Sequence, residues 1–103
     1  MSYSLSFLPE VEDDAIAGFM WYEQKSKGLG EDFLRIFYAS ASEAQHNPLL
    51  YRKVYKDFRR RLLKRFPYAI YFMIVRKNIV VYGLFHCARS PKILKKALVG
   101  RQQ

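Results

Sequence analysis

Tyr3, Leu5 and Phe7 alternate with serines over residues 3–8, the period of two expected of a half-buried strand. Pro9 breaks the alternation and suits the first position of a helix, where its missing N–H leaves nothing unsatisfied. Glu10, Glu12, Asp13 and Asp14 follow at the positive end of the helix dipole. Val11, Ala15, Phe19 and Tyr22, with Gly18 beside them, recur every three or four positions and share one apolar face. Lys25, Lys27 and Gly28 close this helix. After a hinge at residues 28–30, Phe33, Ile36, Phe37, Ser40 and Ala44 form the inner stripe of a second helix over 31–45. Asn47-Pro48 ends it, because proline disfavours helical geometry in the residue before it. So short a loop predicts an antiparallel helical hairpin.

From Tyr51 onward the period changes to that of strands. A brief strand is expected at Val54 and Tyr55, then longer ones over 58–65, 68–75 and 79–86. Phe66-Pro67 separates two of them, since proline cannot donate within a ladder. Arg76-Lys77-Asn78 reads as a tight hairpin, with Asn78 able to take positive φ. The segments 68–75 and 79–86 are apolar on both faces and belong at the centre of a sheet. Residues 91–99 read as a short basic helix. The order strand, helix, helix, three or four strands, helix predicts an α+β fold. Helices cover one face of a mainly antiparallel sheet, and the first strand joins the later ones after the helical hairpin has crossed it. One domain over residues 1–103 is expected.

Composition narrows the function classes. Half the residues are hydrophobic and 17% aromatic, which excludes intrinsic disorder. The longest apolar runs, 68–75 and 79–85, are far short of the roughly 20 residues that span a bilayer, so no membrane role is expected. The opening MSYSLSFLPE has no basic segment, and no secretory leader is expected. Cys87 is alone, so neither an internal disulfide nor a zinc set of Cys and His is expected, and a reducing cytoplasm fits. Charge changes the picture most. Residues 1–50 hold three Lys/Arg against eight Asp/Glu, a net of −5; residues 51–103 hold fifteen against one, a net of +14. Such segregation steers anionic partners, whether nucleic acid or an acidic protein segment, to one side of the molecule.

The run R-R-R-x-x-x-x-F-P-Y-x-I-Y (Arg59 to Tyr71) after a helical hairpin, and the strand ending F-H-C-A-R-S-P (Phe85 to Pro91), resemble the RelE/ParE superfamily of type II toxin–antitoxin toxins over about residues 3–91. The resemblance implies a small cytoplasmic, cofactor-free toxin of a plasmid-stabilisation module. It is silenced, in a hetero-oligomeric complex, by a cognate antitoxin that wraps it with a helix and an extended segment. RelE-like members are ribosome-dependent, metal-free mRNA endoribonucleases, whereas ParE-like members inhibit DNA gyrase. Ala69 stands where RelE-like nucleases usually carry an arginine, and residues 90–98 contain no tyrosine where one is usual. The H-x-x-R ending is closer to the ParE-like branch. A nucleic-acid-binding module without toxicity is the reading from another class.

Metal-free RNA cleavage requires a base for the 2′-hydroxyl, an acid for the leaving oxygen and cations around the phosphorane. His86, Arg89, Lys64 and Arg61 are the candidates for that chemistry. Arg59, Arg61, Arg65, Lys92, Lys95 and Lys96 are the candidates for binding nucleic acid or a target, and Trp21, Met20 and Arg89 for binding the antitoxin. Strand alternation places Arg59, Arg61 and Arg65 on one face and Arg60 and Lys64 on the other, so only one set can line a concave site. The bland alternative for His86 is a half-buried histidine packed beside a tyrosine. For Tyr68, Tyr71, Phe72, Tyr82 and Phe85 it is the core of a small sheet.

Overall fold

The computed structural model describes residues 2–102; Met1 and Gln103, the limits of the expected domain, lie outside the described residues. The elements are β1 (Ser4–Phe7), α1 (Pro9–Lys25), α2 (Leu29–His46), a 3-10 turn (Pro48–Leu50), β2 (Lys53–Tyr55), β3 (Phe58–Leu62), β4 (Tyr68–Val75), β5 (Asn78–His86) and α3 (Pro91–Gly100). They form a five-stranded sheet in the order β1-β5-β4-β3-β2. β1 runs parallel to β5 and all other neighbours are antiparallel. The hairpin α1–α2 carries the chain from one sheet edge to the other, as the first strand's return requires, and the two strands apolar on both faces are central.

The hinge lies at residues 26–28 and not at 28–30: α1 ends at Lys25, Gly28 takes φ 87°, and α2 begins at Leu29. Glu23 explains the early start: its two carboxylate oxygens accept from the N–H groups of Gly28 and Gly30, each at 3.0 Å. A carboxylate there satisfies amides that have no partner inside the helix. Gly18 lets the helices close on each other, since a Cβ on it would lie 2.5 Å from the Phe33 ring.

The helices do not all share one face. α1 and α2 cover one side of the sheet over a core that includes Val11, Phe33, Phe37, Ile70, Phe72 and Val81. α3 covers the other side, where Leu98 packs with Phe58, Ala69, Tyr71 and Phe85. This second core corrects the one-sided arrangement, and its source is the apolar content of β4 and β5 on both faces. Two boundaries also differ. β3 stops at Leu62, because Leu63 N–H turns to donate to Tyr68 O at 2.9 Å and Arg65 lies in left-handed geometry at φ 71°. In the turn after β4 the positive φ belongs to Arg76, at 59°, and not to Asn78. Asn78 is already in β5, where its side chain accepts from Ser4 Oγ at 2.9 Å and donates to Ser6 Oγ at 3.0 Å, tying β1 into register.

Candidate functional site

Strand alternation divides the arginine run. Phe58 and Arg60 project to the α3 side, Arg59 and Arg61 to the hairpin side. α3 is set opposite Arg60 by Ser90, whose Oγ accepts from Ile93 N–H at 3.2 Å as its N-cap. Between the sheet and α3 lies an open groove of about 320 Å³. Val54, Tyr55, Tyr71, Leu94 and Leu98 give it an apolar floor, and Arg60, Arg89 and Lys95 supply three cations. No carboxylate lines it, and none of the three has an ion-pair partner among the described residues.

β5 breaks its own alternation. Tyr71 pairs with Gly83 and Phe72 with Val81, so Tyr82 is an extra residue in the ladder. A bulge of this kind reverses which face the following residues present. Leu84 and His86 therefore turn to the helical hairpin and Phe85 to α3. Gly83 is required at the bulge, since a Cβ there would meet the Phe85 ring at 2.4 Å.

His86 thus enters a second hollow, against α1, lined by Asp13, Asp14, Trp21, Tyr68 and Arg89. Its Nδ1 accepts from Ala88 N–H at 2.9 Å, and its ring meets that of Tyr68 edge-on at 5.2 Å. Burial raises the Tyr68 phenol above its ordinary value of 10.0; Arg89 opposes this and Asp14 adds to it. Asp14 is itself committed. Arg101 donates to its two oxygens at 2.6 and 3.0 Å, Leu84 N–H donates at 3.1 Å, and Arg101 also reaches Tyr82 O at 2.9 Å. That pairing raises the guanidinium's pKa further, chiefly through the hydrogen bond to Asp14. Of the two carboxylates in this hollow Asp14 is neutralised by Arg101, whereas the groove under α3, with three cations and no carboxylate, favours the approach of a phosphate.

Comparisons with known proteins agree with this architecture. No family model and no curated protein matches the sequence. Among solved structures the chain is similar to one from the chromosomal ParDE TA system of P. aeruginosa. The TM-score is 0.71 and the identity 16%, over 82% of this chain and 96% of that one. The fold is ParE-like. The strong fold likeness at such low identity places weight on packing pattern, not on shared side chains.

In this ParE-like frame the predicted site residues do not form one cluster. His86 and Arg89 come together in the hollow against α1. Arg89 also lines the groove under α3, with its guanidinium 4.8 Å from the Phe85 centroid, and so joins the two hollows. Arg59, Arg61 and Arg65 lie on the hairpin side and do not converge with His86. Arg59 donates to Tyr51 O at 2.6 Å, Arg61 pairs with Glu43 and donates to Leu62 O at 2.7 Å, and Arg65 faces Asp32 at 3.6 Å. Asp32 is held below the usual carboxylate range, chiefly by its hydrogen bond from Arg35, with Arg65 contributing. Lys64 is exposed beyond the end of β3, and Lys92 and Lys96 are exposed on α3, where Lys95 alone reaches the groove. Met20 and Trp21 stand 56% and 54% exposed on α1, with Lys25 Nζ 4.3 Å from the Trp21 ring. Sequence reasoning placed Arg60 on the face opposite Arg59 and Arg61 without choosing it as a candidate, and left out Tyr55 and Arg101. Gly83 in the middle of an apolar strand was the signal of the bulge.

Proposed function

We propose that this chain is the toxin of a type II toxin–antitoxin module, a ParE-like growth inhibitor that acts by binding. Its target is DNA gyrase and its inhibitor a cognate antitoxin. The observation that carries the toxin reading is the fold likeness to a ParDE chain across nearly all of that chain. The non-hydrolytic mechanism is supported by how the sheet distributes its groups. The groove rich in free cations holds no histidine, and the histidine sits across the sheet beside two carboxylates. A phosphodiester in the groove would find cations and no general base near neutral pKa. On the antitoxin side, Ile16, Met20 and Trp21 give α1 an apolar outer surface suited to a partner helix, and Arg89 lines the same hollow as Trp21.

One observation favours the RelE-like alternative: Arg89 adjoins His86, and Nε2 of that ring has no protein hydrogen-bond partner among the described residues. Purified protein separates the two. The gyrase reading requires that it block DNA supercoiling by gyrase and that His86→Ala block it equally. New 5′ ends in translated mRNA, lost with His86→Ala, would instead establish the nuclease.

A further inference from the structure

The sheet ends in two edges of opposite character. At the β2 edge the register with β3 shifts between Lys53 and Tyr55, and Lys53 and Lys56 stand exposed along it. A bulge and lysines are devices that keep an edge from pairing with another chain. β1 has neither. It pairs with β5 in unbroken register, and residues 2–8 carry no charged side chain. Ser4 N–H donates to Lys77 O at 2.9 Å and Leu8 N–H to Val81 O at 3.0 Å. Alternation therefore turns the main-chain groups of Leu5 and Phe7 away from β5, toward the open edge.

The side chains beside that edge are aromatic. Phe7 is 36% exposed and Tyr38 of α2 is 52% exposed, with their ring centroids 5.9 Å apart. Together with Phe37 they line a hollow of about 250 Å³ that also takes in Glu12. An open strand edge beside an apolar hollow suits an added strand, whose main chain bonds to the edge.

Charge selects the strand that is added. A chain of net charge +9 repels its own copies unless acid on one meets cation on the other. The two ends of β1 supply that match. Glu10 and Glu12, both exposed, follow its last residue at the start of α1. Its first residue, Ser4, pairs with Asn78, next to the turn that carries exposed Arg76. When two β1 strands lie antiparallel, each end meets the opposite end of the other copy, so acid faces cation twice.

We propose that two copies of this chain join through β1, antiparallel about a twofold axis at Ser6, and continue one sheet across both. Leu5 of each copy opposes Phe7 of the other and exchanges both main-chain hydrogen bonds with it. The Ser6 side chains meet across the axis, and each Phe7 ring gains the second copy's Leu5 as a cross-strand neighbour. This inference does not rest on the function proposed above.

The test is sedimentation velocity of the full chain from about 1 to 100 µM, the range in which so small an interface associates. The proposal expects a reversible dimer. Ser6→Lys and Ser6→Glu each set like charges face to face at the axis and should weaken it about tenfold or more. An equimolar mixture of the two variants should restore the dimer, a rescue that damage to the fold alone does not produce. Ser26→Lys, in the exposed loop between α1 and α2, adds the same charge elsewhere and should leave the dimer intact. A wild type that stays monomeric throughout that range overturns the proposal. A dimer that survives both Ser6 variants puts the contact elsewhere, and a mixture that fails to dimerise makes their effect one of folding; either result also overturns it. Loss of the dimer with Ser26→Lys, or assemblies larger than a dimer, would contradict a closed pairing at this edge.

Discussion

Tyr68 links residue chemistry to stability, because it stands at the wall of the His86 hollow with Tyr22 beside it. Burial is the main reason that both phenols are raised above 10.0. The folded chain therefore holds these protons more tightly than the unfolded one. The stability that this contributes is intact below pH 10 and declines as pH rises through and beyond it. Melting temperatures between about pH 8 and 11 should fall less steeply for the Tyr22→Phe, Tyr68→Phe double variant than for the wild type; equal slopes would refute the assignment. Asp14 and Arg101 give a second residue-scale prediction. Their side chains are only 13% and 18% exposed, and each is the other's ion-pair partner. Removing one leaves a charge poorly solvated, so Arg101→Met should cost about 3 kcal/mol in urea unfolding. Because this contact ties α3 to α1 and β5, a loss near zero would mean that the C-terminal helix is held by its apolar face alone.

At the scale of elements, the helical hairpin depends on glycine at its crossing. In Gly18→Ala the new methyl would collide with Phe33, and overpacking of this kind costs about 1–3 kcal/mol. Trimming the ring with Phe33→Leu should recover part of the loss, whereas additive losses in denaturant melts would place the strain elsewhere. The elements themselves were largely legible in the sequence. The segment predicted over 68–75 matches β4 residue for residue, since a long apolar run between a proline and a polar turn leaves little freedom. Boundaries set by single side chains were not legible. The start of α2 depends on Glu23 reaching back across the loop, and the end of β3 on the left-handed turn at Arg65. The bulge at Tyr82 was the most consequential omission, because it decides which face receives His86.

At the scale of the whole molecule, the contrast between an acidic first half and a basic second half becomes a contrast between layers. Glu43 and Asp32 of α2 neutralise Arg61 and Arg65, while Arg60, Arg89 and Lys95 line the groove on the α3 side with no acid among them. Composition revealed that surplus but not its location, because alternation assigns Arg60 and its neighbours to opposite faces without saying which face stays open. The same reasoning explains why His86 and Arg60 end on different sides of one sheet, with Arg89 lining both hollows. If the surplus charge is the working surface, Arg60→Glu combined with Lys95→Glu should relieve toxicity in cells while leaving the melting temperature within a few degrees of wild type. Relief accompanied by unfolding would argue for a structural role instead. The central claim, that this chain arrests growth by binding, is tested most directly by viable counts after inducing the protein alone. The account predicts that counts fall for the wild type and fall equally for His86→Ala; undiminished growth of cells making folded wild-type protein would contradict it.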